Sequence, residues 1–190
     1  FNCFFSRLCT PWCLTTLFKE QFAKNNKTII IIFNFMAIRY LDFYNNLIKL
    51  TTNKSLYKGL DKQDVFEDRL VLFLIHFAFI LKTYKNKDTS KILQELYDFN
   101  FRQLELSIRE IGYGDQSINK KMKDYINLFH FILSEIHFWD EIMIEDKKKK
   151  IKNILTNFDE INDIVQYFDD FSLNLSKKTL NSYLKSVSNS

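Results

Sequence analysis

The chain of 190 residues contains three glycines and one proline, and the proline, Pro11, lies near its amino end. An all-β sandwich or barrel needs turn residues about every 8–12 positions, and a doubly wound α/β sheet needs glycine at its strand-to-helix turns. Neither supply exists, so both classes are excluded. Cysteine is confined to Cys3, Cys9 and Cys13, which leaves the rest of the chain without a disulfide framework or a thiolate metal site. That suits a reducing, cytoplasmic setting. Long apolar runs are missing as well. The longest, Leu70–Leu81, has twelve residues with His76 as its one polar member, against about 20 for a membrane span. It reads as the core helix of a protein that is soluble, or peripheral at most. A composition of 46% hydrophobic and 26% charged residues excludes overall disorder. What is left is helix, in one domain's length of chain.

Alanine occurs three times, and arginine five times against 22 lysines. With 17 asparagines, 21 isoleucines, 20 phenylalanines and 9 tyrosines, the bias is that of an AT-rich coding sequence. A lysine or phenylalanine is therefore weak evidence of function, and each arginine is stronger evidence. Residues 1–35 carry a net +3 of the chain's +4, which leaves the body nearly neutral. They lack the continuous apolar core and small-residue cleavage site of a signal peptide, and have too few arginines for a mitochondrial presequence. Residues 1–35 read instead as translated upstream sequence or a disordered leader, ahead of a native start at Met36.

From Met36 the apolar residues recur at helical spacing. Ile38, Leu41, Tyr44 and Ile48 mark a first helix, broken at Thr51–Lys54, with Gly59 and Asp61 in the joint that follows. Asp64 is placed to cap a helix running to Lys85, apolar all round in its middle and hence central to the fold. Asn86–Asp88 forms a turn. Asp88 or Thr89 caps the next helix, which carries Leu93, Tyr97, Phe101, Leu104, Ile108 and Ile111 and stops at Gly112. Asp115 or Ser117 starts the longest pattern: Ile118, Met122, Tyr125, Phe129, Ile132, Ile136, Trp139 and Met143. This heptad-like series predicts one helix of roughly 27 residues and 40 Å. After Lys147–Lys150 the pattern resumes with Ile151, Ile154, Leu155, Phe158 and Ile161, followed by Ile164–Phe171. The expected architecture is all-α, a single helical domain over residues 36–175 with a central buried helix, one long helix and a polar tail over 176–190.

Gly112-Tyr113-Gly114-Asp115 reads as a tight joint between helices, with glycine for a positive φ and aspartate for the next N-cap. A phosphate-cradling loop is excluded, because no strand precedes the glycines and no Lys-Ser/Thr follows at P-loop spacing. On the helix before the joint, Asp98, Arg102, Glu105 and Arg109 alternate in sign at spacings of 4, 3 and 4. They form either a ladder of i,i+4 ion pairs or a rigid charged ridge suited to docking a partner, and both can hold. Two of the five arginines lie on it.

The stretch Leu96–Asp115, LYDFNFRQLELSIREIGYGD, followed by SINKKMKDY, resembles the ubiquinol–cytochrome c chaperone family of mitochondria and bacteria. The resemblance rests on Phe101, Glu105, Arg109-Glu110, Gly112-x-Gly114-Asp115 and Lys120, Lys121 and Lys123. Weaker matches lie upstream at Leu56-Tyr57, Asp68-Arg69 and His76. It spans about residues 56–135. Gln103 stands where the family has an acid, and His130-Phe131-Ile132 where it has Tyr-Gly-Arg. The resemblance implies an assembly chaperone for the cytochrome bc1 complex, the ubiquinol–cytochrome c reductase. Its partner would be newly made cytochrome b or another assembly factor. Its place would be the cytoplasm or inner-membrane surface of a bacterium, or the mitochondrial matrix or inner membrane of a eukaryote. Arg102, Glu105, Arg109, Glu110, Gly112, Gly114 and Asp115 would then form the partner-binding site.

The rest of the sequence offers little chemistry. His76, inside the apolar helix, reads as a satisfied core histidine. His130 and His137 share a helix face with Glu141 four residues on, a thin basis for zinc. No nucleophile elbow and no His-Glu-x-x-His motif occurs. The expectation is a binding protein with no catalytic residue, metal, cofactor or small-molecule substrate. Lys147, Lys148, Lys149, Lys150 and Lys152 form the one charge run. They are either a solvated surface balanced by Glu141, Glu145 and Asp146, or a contact to ribosomal RNA or an anionic membrane. The alternative reading is accordingly a helical RNA- or ribosome-binding protein with no respiratory role.

Overall fold

The computed structural model describes residues 27–57, 66–156, 158 and 161–188. Among them are seven α-helices and no strand. The helices are α1 (Lys27–Thr51), α2 (Phe66–Tyr84), α3 (Ser90–Glu110), α4 (Asp115–Ile136), α5 (Ile144–Ile154), α6 (Ile161–Ser176) and α7 (Leu180–Ser188), with a 3₁₀ turn at Lys54–Tyr57. The all-α expectation is met. Residues 1–26, the joint at Gly59 and Asp61, and the cap at Asp64 lie outside the described residues.

Helix α2 holds the centre, as its all-round apolarity requires. Every residue from Leu72 to Ile80 is buried, and α1, α4 and α6 pack around them. Glu67 and Asp68 in its first turn and Lys82 in its last offset the helix macrodipole. Phe77 stacks on Phe129 of α4 with ring centroids 5.3 Å apart, and Phe79 stacks on Phe168 of α6 at 5.2 Å. Aromatic pairs of this kind add about 0.5–1.5 kcal/mol beyond the area they bury. No described helix is long and apolar enough to cross a membrane.

Several expectations from the sequence are corrected. In α1, Leu41 and Ile48 are exposed, while Tyr40, Phe43 and Leu47 face the core. The helix is apolar on more than one side, and Phe43 decides between them by meeting Phe77 of α2 and Tyr183 of α7. α1 also runs without a break across residues 35 and 36. In place of a polar tail, α7 sets Leu180, Tyr183, Leu184 and Val187 in the core and packs on α1. Finally, α4 stops at Ile136 although the apolar pattern continues. Residues 137–142 form a turn closed by Trp139 N–H to Ile136 O at 3.0 Å and Glu141 N–H to Phe138 O at 2.9 Å. The cause is Trp139, drawn fully into the core with its indole N–H donating to Asp169 Oδ1 at 2.7 Å. Met143, the last member of the pattern, is 78% exposed. The lysine run lies inside α5 and does not interrupt a helix.

His76 is a satisfied core histidine. A carbonyl only accepts, so Nδ1–H donates to Leu72 O at 2.7 Å, and Nε2 is left to accept from the Tyr167 hydroxyl at 2.8 Å. The rings of Tyr167, Phe168 and Phe171 lie around it. Burial pushes its pKa down to about 4, against a smaller opposing effect of the Leu72 carbonyl. Between its unfolded pKa of about 6.5 and this value, the unfolded chain binds a proton that the native state refuses. The stability due to neutral His76 is therefore complete above that window and is lost as pH falls through it, by up to roughly 3 kcal/mol. Urea unfolding at about pH 7 and about pH 5 should show the loss, and His76→Gln should flatten it. An undiminished slope in that variant would assign the acid sensitivity to other groups.

Candidate functional site

The buried stripe of α3 ends at Ile108. Ile111, expected to continue it, is the C-cap residue and is 57% exposed. The chain then turns at Gly112, with φ +99°, whose N–H donates to Arg109 O at 3.0 Å. It passes through Gly114 at φ −71° and ψ 155° and enters α4 at Asp115. Only Gly112 needs to be glycine for its backbone, since Gly114 is in ordinary extended conformation. A Cβ at either position would meet nothing within 4 Å. Gly112→Val is therefore expected to lose more than about 1 kcal/mol through backbone strain. Gly114→Ser, which supplies a better N-cap, should be neutral or slightly stabilising. Thermal melts of the two variants decide the matter, and equal melts would mean a turn built differently.

Arg109 clamps the joint. Its Nε and Nη2 donate to Glu105 Oε1 at 3.1 and 2.8 Å, and its Nη1 donates to Asp115 at the start of α4. Asp115, expected to be the N-cap, is instead the first helical residue of α4, with Gly114 at the N-cap position, because its carboxylate is turned to Arg109 and caps no backbone N–H. The expected ladder is made only in part. Glu105 and Arg109 pair, Asp98 accepts from Gln94 at 2.9 Å, and Arg102 and Glu110 make no ion pair among the described residues. The Lys121 ammonium stands 4.6 Å over the centroid of the Tyr113 ring.

Arg102, Glu105, Arg109, Glu110, Gly112, Gly114 and Asp115 are therefore brought together along α3 and at the joint that follows it. Two exposed apolar residues among them, Leu106 and Tyr113, escape the sequence reading. Leu106 had a signal, because it falls between Leu104 and Ile108 and outside their stripe. Guanidinium donors, carboxylates and exposed apolar side chains on a rigid joint make a surface that can dock another protein.

The lysine run is not part of this surface. It lies on α5, beyond the far end of α4, whose 22 residues span about 33 Å. Each ammonium is met. Lys147 pairs with Asp169 at 2.7 Å, Lys148 with Glu145 at 2.8 Å, Lys149 with Asp146 at 3.3 Å and Lys150 with Glu135 at 3.8 Å. Lys152 donates to Phe158 O at 3.0 Å. A groove of about 900 Å³ opens between α2, α3, α4 and α6, lined by Leu81, Leu93, Tyr97, Leu133 and Leu173 with the Lys82–Asp140 and Lys147–Asp169 pairs in its walls. None of the seven ridge and joint residues lines it.

The family model described as Ubiquinol-cytochrome C chaperone matches residues 59–154, half of the chain. The match contains the whole of the ridge and joint. No curated protein and no solved structure matches.

Proposed function

The chain belongs to the ubiquinol–cytochrome C chaperone family, and from that membership we propose that it is an assembly chaperone for the cytochrome bc1 complex. It binds newly made cytochrome b, or another assembly factor, through Arg102, Glu105, Arg109, Glu110, Gly112, Gly114 and Asp115. The observation that carries this reading is the family match over the residues that build the ridge and joint. The geometry supports it in two respects. The joint is fixed by Arg109 across two helices, so it presents its side chains without first having to order them. Its exposed groups are those of a binding surface, and the chemistry proposed for it is binding without turnover.

The alternative contacts, with a ribosome or an anionic membrane surface, depend on Lys147, Lys148, Lys149, Lys150 and Lys152. Four of those lysines are paired with carboxylates and Lys152 with a carbonyl, so the run is a charge-balanced surface and a protein client is the favoured reading. The test is recovery of the tagged chain from native membranes followed by mass spectrometry. Cytochrome b in the eluate is the expected result. RNA crosslinks centred on Lys147–Lys152, with no bc1 component recovered, would replace this reading by the RNA-binding one.

A further inference from the structure

Along the outward side of α3, Arg102, Leu106 and Glu110 follow one another at i,i+4 spacing, and all three are exposed. Leu106 keeps 44% of its surface in water. Arg102 and Glu110 make no ion pair among the described residues. A uniformly acidic partner would satisfy Arg102 and be repelled at Glu110, and a uniformly basic one would meet the reverse. The pattern of cation, leucine and anion at equal spacing is completed by its own reversal. Laid antiparallel on a second copy, about a two-fold axis through Leu106, the helix sets each Arg102 opposite the partner's Glu110 and brings the two leucines together.

We propose that this chain self-associates through α3 as a symmetric dimer, with Leu106 at the centre and two reciprocal Arg102–Glu110 pairs around it. An isologous interface requires a self-complementary patch of this kind, and an apolar centre within a charged rim is the usual anatomy of a protein interface. The nine residues from Arg102 to Glu110 span about 12 Å, so both pairs stand within one contact between crossing or aligned helices. The face overlaps the ridge assigned to the client, and a dimer therefore excludes a client-bound chain. That corollary rests on the chaperone reading; the dimer itself does not.

The test is sedimentation equilibrium of the purified full chain, without client, over a dilution series. The expected result is a mass of two chains that gives way to one on dilution. Arg102→Glu and Glu110→Arg each make both pairs like-charged and should raise the dissociation constant about tenfold or more. An equimolar mixture of the two variants should recover the two-chain mass, because each then meets the opposite charge at both positions. The double variant R102E/E110R should dimerise as well. Recovery in the mixture also excludes misfolding as the cause of the loss in either single variant. A wild-type chain that is monomeric throughout, single variants that dimerise as wild type does, or a mixture that stays monomeric would each overturn the proposal.

Discussion

Replacing Arg109 by glutamate is expected to abolish recovery of cytochrome b while leaving the chain folded. The side chain is 42% exposed and lies outside the hydrophobic core. Exposed ion pairs contribute little to folding because water and salt screen them, so the melt should stay close to that of wild type. At a docking surface the consequence is larger, since a reversed charge is repulsive as well as unpaired. The structure adds a second route to the same loss. Arg109 ties Glu105 to Asp115 across the turn, and a third carboxylate there would loosen the start of α4. Arg109→Gln separates the two, because it removes the clamp without reversing the charge. Capture kept by the glutamine variant and lost by the glutamate one would assign the effect to the reversed charge; loss in both would mean that the guanidinium itself is required, as clamp or as contact. Circular dichroism melts beside the pull-down complete the test. A chain that unfolds would make Arg109 a structural residue, and one that folds and still captures its client would remove the ridge from the binding site.

The parts of this fold that are legible in the sequence are those with few alternatives. So little glycine and proline leaves mainly helix, and an apolar stretch such as Leu70–Leu81, too short for a membrane, can be satisfied only at the centre of a bundle. Where two apolar faces compete, the choice lies in residues far away in sequence. α1 offers Leu41 and Ile48 on one side and Tyr40, Phe43 and Leu47 on another, and the decision rests with Phe77 and Tyr183. The core positions of α7 are diluted by Asn181, Ser182 and Ser186, so that a packed helix reads as a tail. In the site, Gly112 and Arg109 stand out because glycine and arginine are rare in this chain. Leu106 and Tyr113 do not, since the exposure of an apolar side chain is a property of the tertiary structure. The Arg109–Asp115 bond crosses a turn, which no periodicity within one helix can foresee.

The largest loss of stability is expected at Trp139, the residue that ends α4. Its ring is fully buried and meets Phe79 edge-on at 5.3 Å. Its indole N–H and the Lys147 ammonium both donate to Asp169 Oδ1 at 2.7 Å, and that ammonium stands 5.3 Å from the ring. Trp139→Ala removes the packing, opens a cavity among residues that cannot fully collapse, and takes away one of the donors that hold Asp169. The expected cost is about 3–5 kcal/mol, the range for truncating a large buried aromatic. Trp139→Phe keeps most of the apolar contact and loses the N–H, so it should cost only about 1–3 kcal/mol. Urea unfolding of the two variants measures both. The ordering matters as much as the size: it follows from an indole that holds the α4–α5 turn to α6 by packing first and by its hydrogen bond second. An alanine variant as stable as wild type would mean that the turn is held without the indole, and the end of α4 at Ile136 would then need another cause.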